Sequence, residues 1–190
     1  MRWMRTYEME QPALCERLIG GFHAAKELGL THPGMSARGL DKSWKDSEDV
    51  SISCLPLDDY GDIVHDYFAH VMASHSLYLE EFPELARHGA KVGFLDPPQI
   101  QHYEPGGAFY GDHYESSGLD ISHRVLAFLT SLNDIKDGGG TEFIDQKVTF
   151  PPERGVTKIW PAGFTHTHHG VPAPDEHKYI ITGWLSYVRA

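Results

Sequence analysis

In the first half of the chain, apolar residues recur at helical spacing. Leu14, Leu18, Phe22 and Ala25 form one stripe, with Cys15 and Ile19 beside it, which predicts a helix. Gly29 and the stretch Thr31–His32–Pro33–Gly34 should end it. The pairs Ile63/Val64, Tyr67/Phe68 and Val71/Met72 predict a second helix over about Asp59 to Glu81, stopped by Pro83. Both stripes read most simply as core faces. In the second half, apolar residues gather into short runs between turns. Arg124 to Leu132, Thr141–Glu142–Phe143 after the Gly138–Gly139–Gly140 turn, Gly155 to Trp160 and Lys178 to Val188 are strand candidates. Several short strands in one half suggest a sandwich or a jelly-roll barrel, with the helices covering one outer face of the sheet. There is no internal repeat, low-complexity tract or linker. The pattern predicts a single α+β domain, mainly β, over 1–190: a mostly helical supporting half over 1–95 and a jelly-roll half over 96–190.

Composition adds little to this frame. The 190 residues, 41% hydrophobic and 23% charged, suit one globular domain with a sizeable core. No apolar run approaches the roughly 18 to 20 residues of a membrane span. The stretch Met1 to Glu10 has no apolar run and is not expected to be a signal peptide. Two cysteines, Cys15 and Cys54, make no disulfide framework and fit a reducing, cytoplasmic setting. A formal net charge of −11 disfavours generic nucleic-acid binding. Much of the acidity lies in Lys45 to Asp66, at Asp46, Glu48, Asp49, Asp58, Asp59, Asp62 and Asp66. A solvated surface explains it; attraction of a basic substrate is the sharper reading.

Thirteen histidines raise the prospect of metal chemistry and of chance motifs alike. On a strand, residues i and i+2 point to one face, so His113–Tyr114–Glu115 can grip one ion. With a distant histidine, such a pair makes the 2-His-1-carboxylate facial triad, which leaves half of an octahedral Fe(II) open. The short motif is weak alone, since random placement would give roughly two matches. The other match, His102–Tyr103–Glu104, runs straight into Pro105–Gly106–Gly107, which is turn chemistry, so His113/Glu115 is preferred. The third ligand should come from Thr165–His166–Thr167–His168–His169–Gly170; alternation alone does not choose between His166 and His168.

These residues resemble the prolyl-4-hydroxylase-like branch of the 2-oxoglutarate/Fe(II)-dependent oxygenases. Tyr103–Glu104–Pro105–Gly106–Gly107, then Phe109–Tyr110, then His113–Tyr114–Glu115 is similar to that family's Tyr-x-x-Gly stretch leading to His-x-Asp. The Arg124 strand ending in Leu132–Asn133–Asp134 and the Gly138–Gly139–Gly140–Thr141–Glu142–Phe143 turn resemble the next two family segments. The family's distal histidine is followed by proline four residues on, a basic residue ten on and tryptophan six after that. His168, Pro172, Lys178 and Trp184 match this spacing, and His166 does not. The resemblance covers about Gln99 to Tyr187, with a fainter echo at Lys45–Asp46–Ser47. It is nearest to members whose metal motif reads His-Tyr-Glu.

The resemblance implies a double-stranded β-helix, cupin-like, with Fe(II) on His113, Glu115 and His168 and with 2-oxoglutarate as co-substrate. Lys178, Ile180, Thr182 and Trp184 share one strand face by alternation. Lys178 would then meet the distal carboxylate of 2-oxoglutarate. Thr182 and Tyr103 would add hydroxyls, and Trp184 a pocket wall. The implied reaction is a dioxygenase reaction. An unidentified small-molecule or peptide substrate, such as peptidyl proline, is hydroxylated as 2-oxoglutarate yields succinate and CO2, with ascorbate a candidate reductant. Because the carboxylate Glu115 is present, hydroxylation rather than halogenation is expected. Two departures stand out: Glu115 replaces the commoner aspartate, and Ser131 stands where many relatives carry a tyrosine near 2-oxoglutarate. The alternative from another class is a cupin-like metal-binding protein, which would have no use for Lys178.

Overall fold

The computed structural model describes residues 2–87 and 89–189, apart from the side chains of residues 57 and 58. Asp58, counted above in the acidic stretch, therefore lies outside the described side chains. In chain order the elements are β1 (Arg5–Glu8), α1 (Ala13–Glu27), β2 (His32–Pro33), β3 (Glu48–Ser51), α2 (Leu57–Glu81), β4 (Lys91–Gly93) and β5 (Gln99–Tyr103). These are followed by β6 (Arg124–Ser131), β7 (Thr141–Phe143), β8 (Val148–Phe150), β9 (Val156–Pro161), β10 (His168–Gly170) and β11 (Lys178–Val188).

The fold is mostly β with two helices and antiparallel sheets. Among the described residues the larger sheet runs β1-β9-β6-β11-β5-β3-β2 and the smaller β10-β7-β8. β5 pairs with Lys178 to Thr182 of β11, and β4 with Ser186 to Val188. Alternation on the central strands builds two separate interiors. Leu126, Phe128, Ile159, Ile181 and Leu185 cluster with Leu14, Leu18 and Phe22 of α1 and with Ile63, Tyr67 and Val71 of α2. Ala127 and Trp160, one residue out of phase, cluster instead with Phe143 of the smaller sheet and with Met4, flanked by Leu129 and Trp184. Burying a side chain such as Leu18 or Phe22, both fully enclosed, contributes about 1.5–3 kcal/mol each.

The helical stripes fall where expected, with adjustments. α1 ends in a Schellman turn: Leu30 N–H donates to Ala25 C=O at 3.0 Å and Gly29 N–H to Lys26 C=O at 2.9 Å, with Gly29 at φ 70°. α2 begins two residues before the expected start. Its buried line is Ile63, Tyr67 and Val71, while Met72 faces outward at 36% exposure. Polar contacts complete the docking of α2: Tyr67 hydroxyl meets Thr130 at 2.9 Å, and Thr157 meets both Thr130 and His70 Nε2 at 2.7 Å.

The pattern predicted no strand before residue 95, yet β1 to β4 lie there. They are two to four residues long and polar-rich, and they form through pairing to longer neighbours, β1 to β9 and β3 to β5. In the acidic stretch Asp59, Asp62 and Asp66 are exposed, as a solvated surface requires, and Asp49 is the exception. Asp49 is buried and takes an ion pair from Lys45 at 2.6 Å, Glu48 pairs with Lys26, Asp46 with Lys42 and Asp62 with Arg17. These local pairings neutralise part of the acidity on which the basic-substrate alternative rested.

Candidate metal centre

The structure gathers His113, Glu115 and His168 with their ligand atoms within 4.8 Å of one another. Glu115 Oε1 lies 3.6 Å from His113 Nε2 and 3.5 Å from His168 Nε2. The spacing predicted a strand for the His-x-Glu pair, but residues 113 and 115 lie outside the regular strands. His113 makes an isolated bridge with His168, through N–H to C=O bonds of 3.0 and 2.9 Å in the two directions, and Glu115 N–H donates to Ala162 C=O. That bridge brings the proximal and distal positions together across the barrel mouth. Gly111 is required beside it: a Cβ there would lie 2.0 Å from the Trp44 ring.

Both histidines are oriented by their other nitrogen. His113 Nδ1–H donates to Gly111 C=O at 2.8 Å, and His168 Nδ1–H to His166 C=O at 2.9 Å. Each bond fixes the tautomer whose Nε2 lone pair faces Glu115. Phe109 stacks on His113 at 3.6 Å between centroids, and Phe143 and Trp160 flank His168. Burial, helped by nearby His168 and opposed by Glu115, pulls His113 down to about 4, so it is neutral and able to ligate at neutral pH. Burial pushes the Glu115 carboxyl up. Contact with His168, the attraction of both histidines in their protonated forms and the Trp184 N–H together outweigh that and hold it at about 2. Trp184 Nε1–H donates to Glu115 Oε2 at 2.6 Å, leaving Oε1 toward the histidines. Two imidazole nitrogens and one fixed carboxylate oxygen are the donor set that suits Fe(II). His166 is buried too, but it supplies its carbonyl to His168 and stands outside the cluster.

A cavity of about 500 Å³ adjoins this centre, and Tyr103, Lys178, Thr182 and Trp184 all line it. Lys178 is buried, its ammonium 4.6 Å above the Tyr103 ring and donating to Gly139 C=O at 3.2 Å. Tyr103 hydroxyl donates to Gln101, and Thr182 hydroxyl to Phe128 C=O. Sequence reasoning missed Lys158. It shares a face of β9 with Trp160, is buried, and donates to Ser131 Oγ at 3.2 Å, where the family tyrosine would stand. A lysine amid Val156, Ile159 and Trp160 was the available signal. Burial, and for Lys178 also the Lys158 charge, lowers each ammonium to about 8. Among the described residues neither forms an ion pair, and Trp160 Nε1 on the cavity wall has no hydrogen-bond partner. Buried cations and an orphaned donor fit an anionic ligand such as a dicarboxylate.

Residues 98–186 match the model of the 2OG-Fe(II) oxygenase superfamily. No curated protein matches the chain in sequence. Among solved structures, the viral collagen prolyl hydroxylase of Paramecium Bursaria Chlorella virus-1, a 2OG complex, superposes with a TM-score of 0.70 at 18% identity, covering 99% of this chain and 97% of that one. A Pseudomonas putida prolyl-4-hydroxylase gives 0.71 at 17%, covering 96% and 92%. A Trichoplax adhaerens prolyl hydroxylase, bound to a hypoxia inducible factor peptide fragment, gives 0.73 at 15%, covering 98% and 84%. The solved structures share the jelly-roll fold with this chain, and the match over residues 98–186 supports a likeness to the 2OG-Fe(II) oxygenase superfamily.

Proposed function

We propose that the chain is a 2-oxoglutarate/Fe(II)-dependent dioxygenase built on a double-stranded β-helix, with its helices packed on the outer face of the larger sheet. In this reading it hydroxylates a small molecule or a peptide residue such as proline. The observation that carries it is one cavity joining a His113–Glu115–His168 cluster to a buried Lys178 that has no ion pair among the described residues. When bound, Fe(II) and 2-oxoglutarate supply the oxidising chemistry, in which succinate and CO2 are released and a substrate C–H bond is hydroxylated. His113 and His168 present Nε2, and Glu115 presents Oε1, to one side of the ion. Lys178 neutralises the distal carboxylate of the co-substrate, and the Tyr103 and Thr182 hydroxyls accept or donate beside it. Lys158 adds positive charge next to Ser131, in place of the tyrosine of relatives. Trp184 walls the pocket and holds Glu115 in position. Ascorbate is proposed as reductant, and the free cysteines Cys15 and Cys54 support a cytoplasmic setting. No helix among the described residues is long and apolar enough to cross a membrane.

Peptidyl proline enters through the neighbours, one of which holds a peptide. The first test is spectroscopic. Anaerobic protein with Fe(II) and 2-oxoglutarate should develop the visible charge-transfer band of a chelated keto acid. His113→Ala and His168→Ala should abolish the band, and His166→Ala should retain it. A cupin-like module that only binds metal would give no band in the parent. A screen of peptides, amino acids and small metabolites for stimulated succinate release then identifies the substrate.

A further inference from the structure

The sequence holds two His-Tyr-Glu motifs, and the fold brings a downstream histidine to each. The first is His113/Glu115 with His168. The second is His102/Glu104, which meets His177. Register explains the second meeting. Lys178 is opposite Tyr103 and Tyr179 opposite His102 on the β5–β11 ladder, so one step further the ladder would set His177 opposite Glu104. Alternation then puts His102, Glu104, His177 and Tyr179 on one face, the opposite face from Tyr103 and Lys178. His102 Nε2 lies 3.0 Å from His177 Nδ1, and His177 Nδ1 lies 3.2 Å from Glu104 Oε2. Zinc–nitrogen bonds of about 2.0 Å in a tetrahedron set neighbouring donors roughly 3.3 Å apart, close to these spacings.

The surroundings hold the donors in place. His102 is buried and stacks on Tyr179 at 4.4 Å between centroids, with the edge of Phe22 against it. The backbone of His177 is anchored by Asn133, whose side-chain amide donates to the His177 carbonyl at 2.9 Å and whose carbonyl accepts from Tyr179 N–H. His177 and Glu104 are more than half exposed, so solvent can complete a fourth position. Glu48 also borders the adjoining surface cleft, beside His102 and Glu104.

The geometry points to a second divalent-cation site, of zinc type, formed by His102, Glu104 and His177 and separate from the His113–Glu115–His168 centre. Two imidazoles and one carboxylate select a borderline transition ion over calcium or magnesium. Its ligands flank Tyr103 and Lys178 in sequence, so a bound ion clamps the end of β5 to the start of β11 behind the cavity.

Calorimetric titration of the full chain with Zn(II) alone tests this. The parent should take up two equivalents. H177A and E104Q, changed at exposed side chains that the core does not need, should each lose one, and H168A should lose the other. Zn(II) should also raise the melting temperature of H168A but not of H168A/H177A. Uptake by H177A and E104Q equal to the parent's, at one equivalent or two, overturns the site. Loss of an equivalent in H177A with H168A unchanged would keep this site and overturn the proposed iron ligands instead.

Discussion

Glu115 carries one methylene more than the commoner aspartate, and Trp184 takes up the extra reach. With Oε2 held by the indole at 2.6 Å, Oε1 is left facing the two histidines. Trp184 is itself pinned by the Arg124 guanidinium, 3.5 Å above its ring. Partners of this kind typically contribute about 10- to 100-fold in metal affinity. Trp184→Phe should therefore weaken Fe(II) binding by about that factor in an anaerobic titration, with the fold unchanged by circular dichroism. An unchanged affinity would show that Glu115 holds its place without the indole. The same fixed carboxylate argues for hydroxylation. Product formed under labelled oxygen gas with excess chloride should gain one oxygen atom, and a chlorinated product would overturn the role given to Glu115. At this scale the spacing in the sequence anticipated which side chains the fold gathers, His113, Glu115 and His168, with Lys178 on the same cavity. It was silent on Trp184 as a donor, because an indole's partner depends on a strand and a loop distant in sequence. It was silent on the burial of Asp49 as well, whose charge is met locally by Lys45 and Ser47 and, once β3 and β5 pair, by Gln101.

Among the elements, α1 and α2 were legible because a period near 3.6 survives any change of environment, and β11 because eleven residues of strand pattern are hard to mistake. The strands β1 to β4 were not, since each is too short to show a period and each is specified by its partner. The two motif-bearing segments illustrate the limit. Both read His-Tyr-Glu, but one lies along β5 with its histidine turned toward α1, while the other follows an isolated bridge at the cavity. Packing of α1 on the sheet is a matter of volume, and Leu18 is fully enclosed in it. Leu18→Ala should cost about 2–5 kcal/mol in chemical denaturation, through lost transfer energy and the cavity left behind. Its Fe(II) stoichiometry should remain that of the parent, because α1 contributes no side chain to the cavity lining. A variant that keeps its stability would mean that the helix contributes little to the core.

At the scale of the molecule, a chain of net charge −11 encloses two lysines that form no ion pair among the described residues. Lys158 and Lys178 fall from the ordinary 10.5 to about 8, burial being the larger cause in both. Between those values the unfolded chain holds more protons than the folded one, so these groups make folding more favourable as pH rises from about 8 to about 10.5. Below about 8 both are charged in the fold, and their desolvation cost is felt in full. Lys158→Met should thus be more stable than the parent near pH 7, with the advantage shrinking toward about pH 10. A dicarboxylate reverses the sign, because an anion beside the lysines favours their charged form and returns their pKa values toward the ordinary range. Binding of 2-oxoglutarate near pH 8.5 should therefore take up protons, by roughly a fraction of one per lysine. Calorimetry in two buffers of different ionisation enthalpy measures that uptake directly. The uptake should shrink in Lys158→Met and again in Lys178→Met, and it should vanish near pH 6.5, roughly where both lysines are already protonated. Identical uptake in the parent and both variants would remove the lysines from the co-substrate pocket, while leaving the metal ligands untouched.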